Sequence, residues 1–173
     1  MTFQSTIQDS LAAGVVGEVI TSGPYRAQPG ILSSTSAANN VVGRAFRHVA
    51  ASDTDVSADA AGVFAGILCH PKSYALFGDA SNPLNPTLTL PNELNVSLLL
   101  MGYILVDLSQ DAPATGSRAI GAEIWYEDAT GILVGVVPGT ATVTDYTKVP
   151  NAVIVDNNLA DGTPGLAKIK LTN

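Results

Sequence analysis

Short apolar runs separated by glycine- and proline-marked turns fill most of the chain. The runs occupy residues 15–21, 40–49, 62–69, 87–90, 95–108, 122–127, 132–137 and 165–171 and are rich in Val, Ile, Leu, Thr and Tyr. Between them stand Gly23-Pro24, Pro29-Gly30, Pro83, Pro86, Pro91, Pro138-Gly139, Pro150 and Pro164-Gly165. Many short strands with regular turn signals predict a mainly β chain, an antiparallel β-sandwich or jelly-roll-like barrel. At the C-terminus the pattern alternates. Leu166, Lys168 and Lys170 share one strand face, and Ala167, Ile169 and Leu171 share the other, so the lysines are expected on the wet side. Residues 123–127 and 132–134, joined by Asp128-Ala129-Thr130-Gly131, read as a β-hairpin with Gly131 free to take positive φ. Trp125 and Tyr126 are adjacent, so one is expected in the core and one at the surface.

Three segments break this pattern. Phe3, Ile7 and Leu11 recur every four residues, which fits a short amphipathic helix or an arm ordered only against a neighbour. The expected organisation is an N-terminal arm over 1–14 and one β-rich domain over 15–173. Residues 33–40 form a polar loop of small residues, expected to be a mobile or interacting tip. Residues 51–61 could form a short helix capped by Ser52 or Asp53, or remain a loop.

Composition changes the picture at the surface. The chain is 46% hydrophobic with a mean hydropathy of +0.28, yet only 13% charged, about half the usual 25%. With 173 residues it can bury a core without staples. What remains outside is poor in charge, and such surfaces usually lie against something, so the chain reads as an assembly component. No membrane insertion is expected, since the most apolar stretch, 98–106, is too short to span and is bounded by Glu93 and Asp107. Residues Met1 to Ser5 do not open a secretory signal. The single cysteine, Cys69, rules out an intrachain disulfide and fits a reducing cytosol. The net charge is −7, and the eight Lys and Arg are scattered, the densest group being Arg44, Arg47 and His48. Direct nucleic-acid binding, which needs clustered cations, is not expected.

Candidate chemistry is sparse. Phosphate-cradling, dinucleotide, zinc-protease and serine-elbow motifs are missing. Cys69-His70 is the most chemical-looking pair, but neighbours on a strand point to opposite faces, so His70 cannot easily activate the thiol. His48 reads as a solvated or interface histidine. Residues 53–59 mimic the start of a calcium loop through Asp53, Asp55 and Asp59, yet Ala58 stands where the sharp turn wants glycine and Phe64 where a glutamate belongs. Glu123 and Glu127 share a strand face about 13 Å apart, too far for a catalytic pair. No enzyme activity, cofactor or metal is expected.

One ordered set of signatures carries a resemblance. It runs through Gly23-Pro24-Tyr25-Arg26-Ala27-Gln28-Pro29, Asn40-Val41-Val42-Gly43-Arg44-Ala45-Phe46 and Gly62-Val63-Phe64-Ala65-Gly66-Ile67-Leu68. It continues with Pro71-Lys72, Tyr74-Ala75-Leu76-Phe77-Gly78, Gly116-Ser117, Ile124-Trp125-Tyr126 and Ala129-Thr130-Gly131. Across 15–137 the chain resembles the structural cement, or capsid decoration, proteins of tailed bacteriophages. The resemblance implies a virion protein made in the host cytoplasm. It would bind the outer capsid surface, bridge copies of the major capsid protein and self-associate as a dimer or trimer. It carries over no catalytic residue. Interface candidates read from the residues themselves are Phe3, Ile7 and Leu11 as an intersubunit strap, with Tyr25 and Arg26 in the Gly-Pro turn. The alternatives are another virion surface role, as a tail or fibre-base component or a glycan-binding adhesin using Trp125 or Tyr126, and a small hydrolase working through Cys69 or an acidic pair.

Overall fold

The structure, a computed structural model, describes residues 14–21, 23–50, 52–71, 89–108, 113–157 and 166–172. Phe3, Ile7, Leu11 and the 74–78 signature lie outside the described residues. The architecture is mainly β, as the pattern predicts. Ten strands are present among the described residues: β1 (Val19–Ile20), β2 (Arg26–Leu32), β3 (Ala45–His48), β4 (Asp55–Ser57), β5 (Phe64–Leu68), β6 (Asn95–Asp107), β7 (Glu123–Glu127), β8 (Leu133–Val136), β9 (Tyr146–Asn157) and β10 (Leu166–Leu171).

The strands build a small closed barrel joined to an open sheet. The barrel runs β2-β4-β3-β5-β6 and closes because β6 also pairs with β2, from Arg26↔Met101 to Ile31↔Asn95. The sheet runs β1-β6-β10-β9-β7-β8. Pairing is antiparallel throughout, except between β2 and β4. Leu32, Val42, Phe46, Val56, Ala65, Leu68, Val96 and Leu98 fill the barrel. A second core lies between barrel and sheet, where Ala45, Ile67 and Leu99 from barrel strands meet Ile104, Val106, Ile124, Tyr126, Ile154 and Ile169. Strands β3 and β5 are therefore buried on both faces, which explains the unbroken apolar run of β5.

Strand β6 belongs to both bodies. Val96 and Leu98 point into the barrel, whereas Ile104 and Val106 serve the interlayer core that Leu99 also joins. The switch needs one extra residue. It is found where Arg26 and Ala27 oppose Met101 and Leu99, a β-bulge around Leu100. Gly102 follows with φ +127°, and a Cβ there would come within 2.8 Å of Tyr25 Cβ.

Three segments differ from their sequence expectations. Residues 52–61 hold β4 rather than a helix: the Ser52 hydroxyl accepts the Asp55 N–H at 3.0 Å in a tight local turn, and Val56 is drawn into the barrel. The 33–40 loop, containing a 3-10 turn at Ala37–Asn39, is tied down rather than free. Trp125 and Tyr126 are both buried, at 4% and 2% exposure, because the 137–146 segment contributes Val143 and Tyr146 to a small outer cluster with Trp125, Val134 and Val136.

A buried arginine bolts barrel to sheet. Arg47 of β3 is 6% exposed, and its Nη2 donates to the carbonyls of Ala58 (3.1 Å) and Asp128. Its guanidinium stacks 5.4 Å from the Tyr126 ring, and Nη1 lies 3.5 Å from Asp128 Oδ1. Asp128 is 43% exposed, so the ion pair contributes little and the carbonyl bonds dominate. Arg44 Nη1 to Thr130 O at 3.2 Å and Ala45 N–H to Gly131 O at 2.9 Å pin the same hairpin turn. Removing Arg47 strands the buried Ala58 carbonyl and the half-buried carbonyl of Asp128. Arg47→Ala is expected to lower stability by about 3 kcal/mol, and Asp128→Asn by less than about 1 kcal/mol. Urea unfolding followed by circular dichroism distinguishes them, and equal losses would contradict the carbonyl argument.

Candidate functional site

The residues with chemical promise are used structurally. Cys69 is buried, its Sγ lies 3.8 Å from the Ile67 carbonyl, and burial pushes the thiol up to about 11. It is a core residue protonated at neutral pH, not an activated nucleophile. His70 is half-buried and its backbone N–H donates to Gly17 O at 2.8 Å. The ring of His48 is half-buried, with Nε2 3.3 Å from Gln28 Nε2. Arg44 and Arg47, from the densest basic group of the sequence, face the β7–β8 turn rather than a partner. Among the described residues, no three His, Cys, Asp or Glu side chains gather to hold a metal ion. Glu123 is salt-bridged to Lys148 at 2.8 Å, which, against the effect of burial, holds its carboxyl below the usual range. With both rings buried, neither Trp125 nor Tyr126 offers a stacking platform to a sugar.

The calcium-like stretch has another use. Asp59 accepts the backbone N–H groups of Thr35 (3.0 Å) and Ser36 (3.1 Å), the Ser57 hydroxyl (2.5 Å) and the Asn39 amide (3.4 Å). It is the clasp of the 33–40 loop. Burial alone would raise its pKa, but these bonds outweigh burial and hold the carboxyl below its ordinary value.

What remains is a side-chain face on the sheet. The register sets Ile20, Tyr103, Lys170, Val153 and Glu123 in one row across β1, β6, β10, β9 and β7, each half-buried. Lys168 and Lys170 place their ammonium groups 5.5 and 5.9 Å from the Tyr103 ring centroid. The Gly23-Pro24-Tyr25-Arg26 turn stands beside them, since Gly23 lies against the Tyr103 ring and Tyr25 against Gly102. Tyr25 is 57% exposed and Arg26 is exposed. The structure thus gathers Tyr25 and Arg26 with three residues the sequence reading did not group with them: Tyr103, Lys168 and Lys170. Alternation put both lysines on the wet face; the missing signal was the β6–β10 register, which sequence does not print.

Comparison with known proteins places the chain among structural proteins. The model of a family described as "Structural cement protein (E217 gp24/Pam3 gp6)" matches residues 3–172. The chain belongs to this family and is a capsid-associated structural protein of a phage. Among solved structures, a chain of "The capsid of Myoviridae Phage XM1" is similar in fold, with a TM-score of 0.58 and 16% identity. The match covers 100% of this chain and 99% of that one. Comparison with curated proteins finds no match.

The Asp59 clasp has a pH signature. Its folded pKa is depressed, so its stabilisation is complete above the unfolded value near 4 and fades as pH falls through the lower folded value. Asp59→Asn is expected to cost about 2 kcal/mol at pH 7, and the difference from the parent should shrink below pH 4. Thermal unfolding across pH 2–7 measures it; a difference independent of pH would contradict the clasp.

Proposed function

We propose that the chain binds the outer surface of a phage capsid and cements neighbouring major capsid subunits, self-associating as a dimer or trimer on the lattice after synthesis in the host cytoplasm. The family match over residues 3–172 carries this reading. Supporting it are a surface poor in charge and a half-buried sheet face whose Tyr103 stands beside the turn of exposed Tyr25 and Arg26, tyrosine and arginine being enriched at interfaces. A clamp needs no catalytic group. Each contact can be modest, because a lattice holds every bridging molecule at high effective concentration. In this reading residues 1–14 are an arm whose Phe3, Ile7 and Leu11 strap an adjacent subunit, residues 15–173 are the clamp domain, and Tyr25 and Arg26 contact the shell.

Copy number tests the role. Quantitative peptide mass spectrometry of purified particles should return a ratio to the major capsid protein near one or a simple fraction of one. A handful of copies per particle would instead indicate a tail component and overturn the reading.

The strap has its own test. Deleting residues 1–13 removes three apolar anchors, each contributing about 1.5–3 kcal/mol when buried. Head affinity should therefore fall at least about tenfold while thermal unfolding stays unchanged. Undiminished binding by the truncated chain would remove the strap.

A further inference from the structure

We propose that the patch formed by Tyr25, Arg26, Tyr103, Lys168 and Lys170 is the docking face for a carboxylate-bearing protein surface of the capsid shell. The proposal rests on the cementing role above and names the surface that performs it.

Charge carries the argument. The chain is net −7 with eight basic residues. Two of them, Arg44 and Arg47, are engaged with the β7–β8 turn, and Lys148 is paired with Glu123. Arg26, Lys168 and Lys170 form no ion pair among the described residues, and all three stand around the Tyr103 ring or the adjoining turn. Two unpaired cations therefore share the Tyr103 ring and a third stands on the adjoining turn of an otherwise acidic molecule. Of the carboxylates on this face, Glu123 is taken up by Lys148, Asp107 stands opposite Leu166, and Asp156 stands opposite Lys168 at the edge of the patch without forming an ion pair with it.

The geometry is preorganised for anions. Lys168 and Lys170 are two positions apart on one strand face and share one aromatic ring, which holds both stems and keeps two like charges close together. Two like charges gathered on one ring favour the approach of a further negative charge. Around the cations, Ile20, Val153 and the exposed Tyr25 give apolar contact area. A folded acidic surface uses both features. A nucleic acid would use only the charges, and the rest of a −7 chain repels it.

The test uses the full chain and phage heads lacking it, with binding measured between about 50 and 500 mM NaCl. The parent should bind more weakly as salt rises. Lys168→Glu combined with Lys170→Glu should lose at least about tenfold in affinity at low salt, while Lys168→Arg with Lys170→Arg keeps binding. Thermal unfolding of each variant confirms the fold; if the glutamate pair unfolds, Lys168→Gln with Lys170→Gln is read instead and should flatten the salt dependence. Parent-like binding and salt dependence in the reversed variant would overturn the docking face and leave the cementing role standing. Failure of the parent itself to bind heads would overturn both. Lysine-dependent binding of duplex DNA, or lysine-dependent self-association with head binding unchanged, would reassign the patch and overturn the proposal.

Discussion

Strand β6 has to be a stave of a closed barrel and a central strand of an open sheet at once. Its first half pairs with β2 and β5, and its second half with β1 and β10. A regular strand alternates strictly, so residues facing the barrel interior in the first half would share their parity throughout. The two cores do not allow that: Leu99 and Ile104 must enter the same interlayer core from positions of opposite parity. The bulge around Leu100 and the unusual backbone at Gly102 absorb the conflict. Most other placements follow from this one adjustment. The turn carrying Tyr25 and Arg26 lands beside Tyr103 because β1 and β2 pair with the same edge of β6 on either side of the kink.

The joint between barrel and sheet is part apolar and part polar. Desolvating a guanidinium is costly, and Arg47 is tolerated inside only because two carbonyls and an aromatic face replace its water. The same joint draws in the N–H of Ala45, the guanidinium of Arg44 and the amide of Asn39, all directed at residues 129–131 or their neighbours. This helps to explain the sparse surface charge. Cations are few to begin with, and two of them are spent on holding the fold together.

Strand content and the C-terminal alternation were legible because they depend on local pattern: Ala167, Ile169 and Leu171 are buried, and Lys168 and Lys170 are not. The 123–127 hairpin was legible for the same reason, with Gly131 at φ +70°. Strands β2 and β9 were not. Pro29-Gly30 and Pro150 look like turns, yet Pro29 pairs with Ser97, and β9 passes Pro150 where its pairing with β7 slips between Lys148 and Val153. Strand β4 was missed because three residues carry no period. Tyr126 lies in the interlayer core, as one aromatic of the pair was expected to, but Trp125 is buried too by the 137–146 segment, a tertiary event invisible to alternation. The candidate face is a similar case, since it exists only once β6 and β10 are in register.

How such a chain can associate is constrained by its edges. Exposed strand edges invite backbone pairing with any neighbour. The barrel has closed its own, β1 is two residues long, and β8 is flanked by a segment in which Ser117 N–H donates to Gly135 O and Val137 N–H to Thr115 O. The outer side of β7 and β8 is roofed by Val143 and Tyr146. Among the described residues, backbone pairing is therefore mostly used up, and side chains are the principal means of attachment left. Side-chain contacts specify a partner through shape and charge, whereas a bare edge accepts almost any strand. For the proposed coat on a repeating shell that distinction keeps sister copies from pairing edge to edge, and the closed barrel beside a half-roofed sheet supplies it.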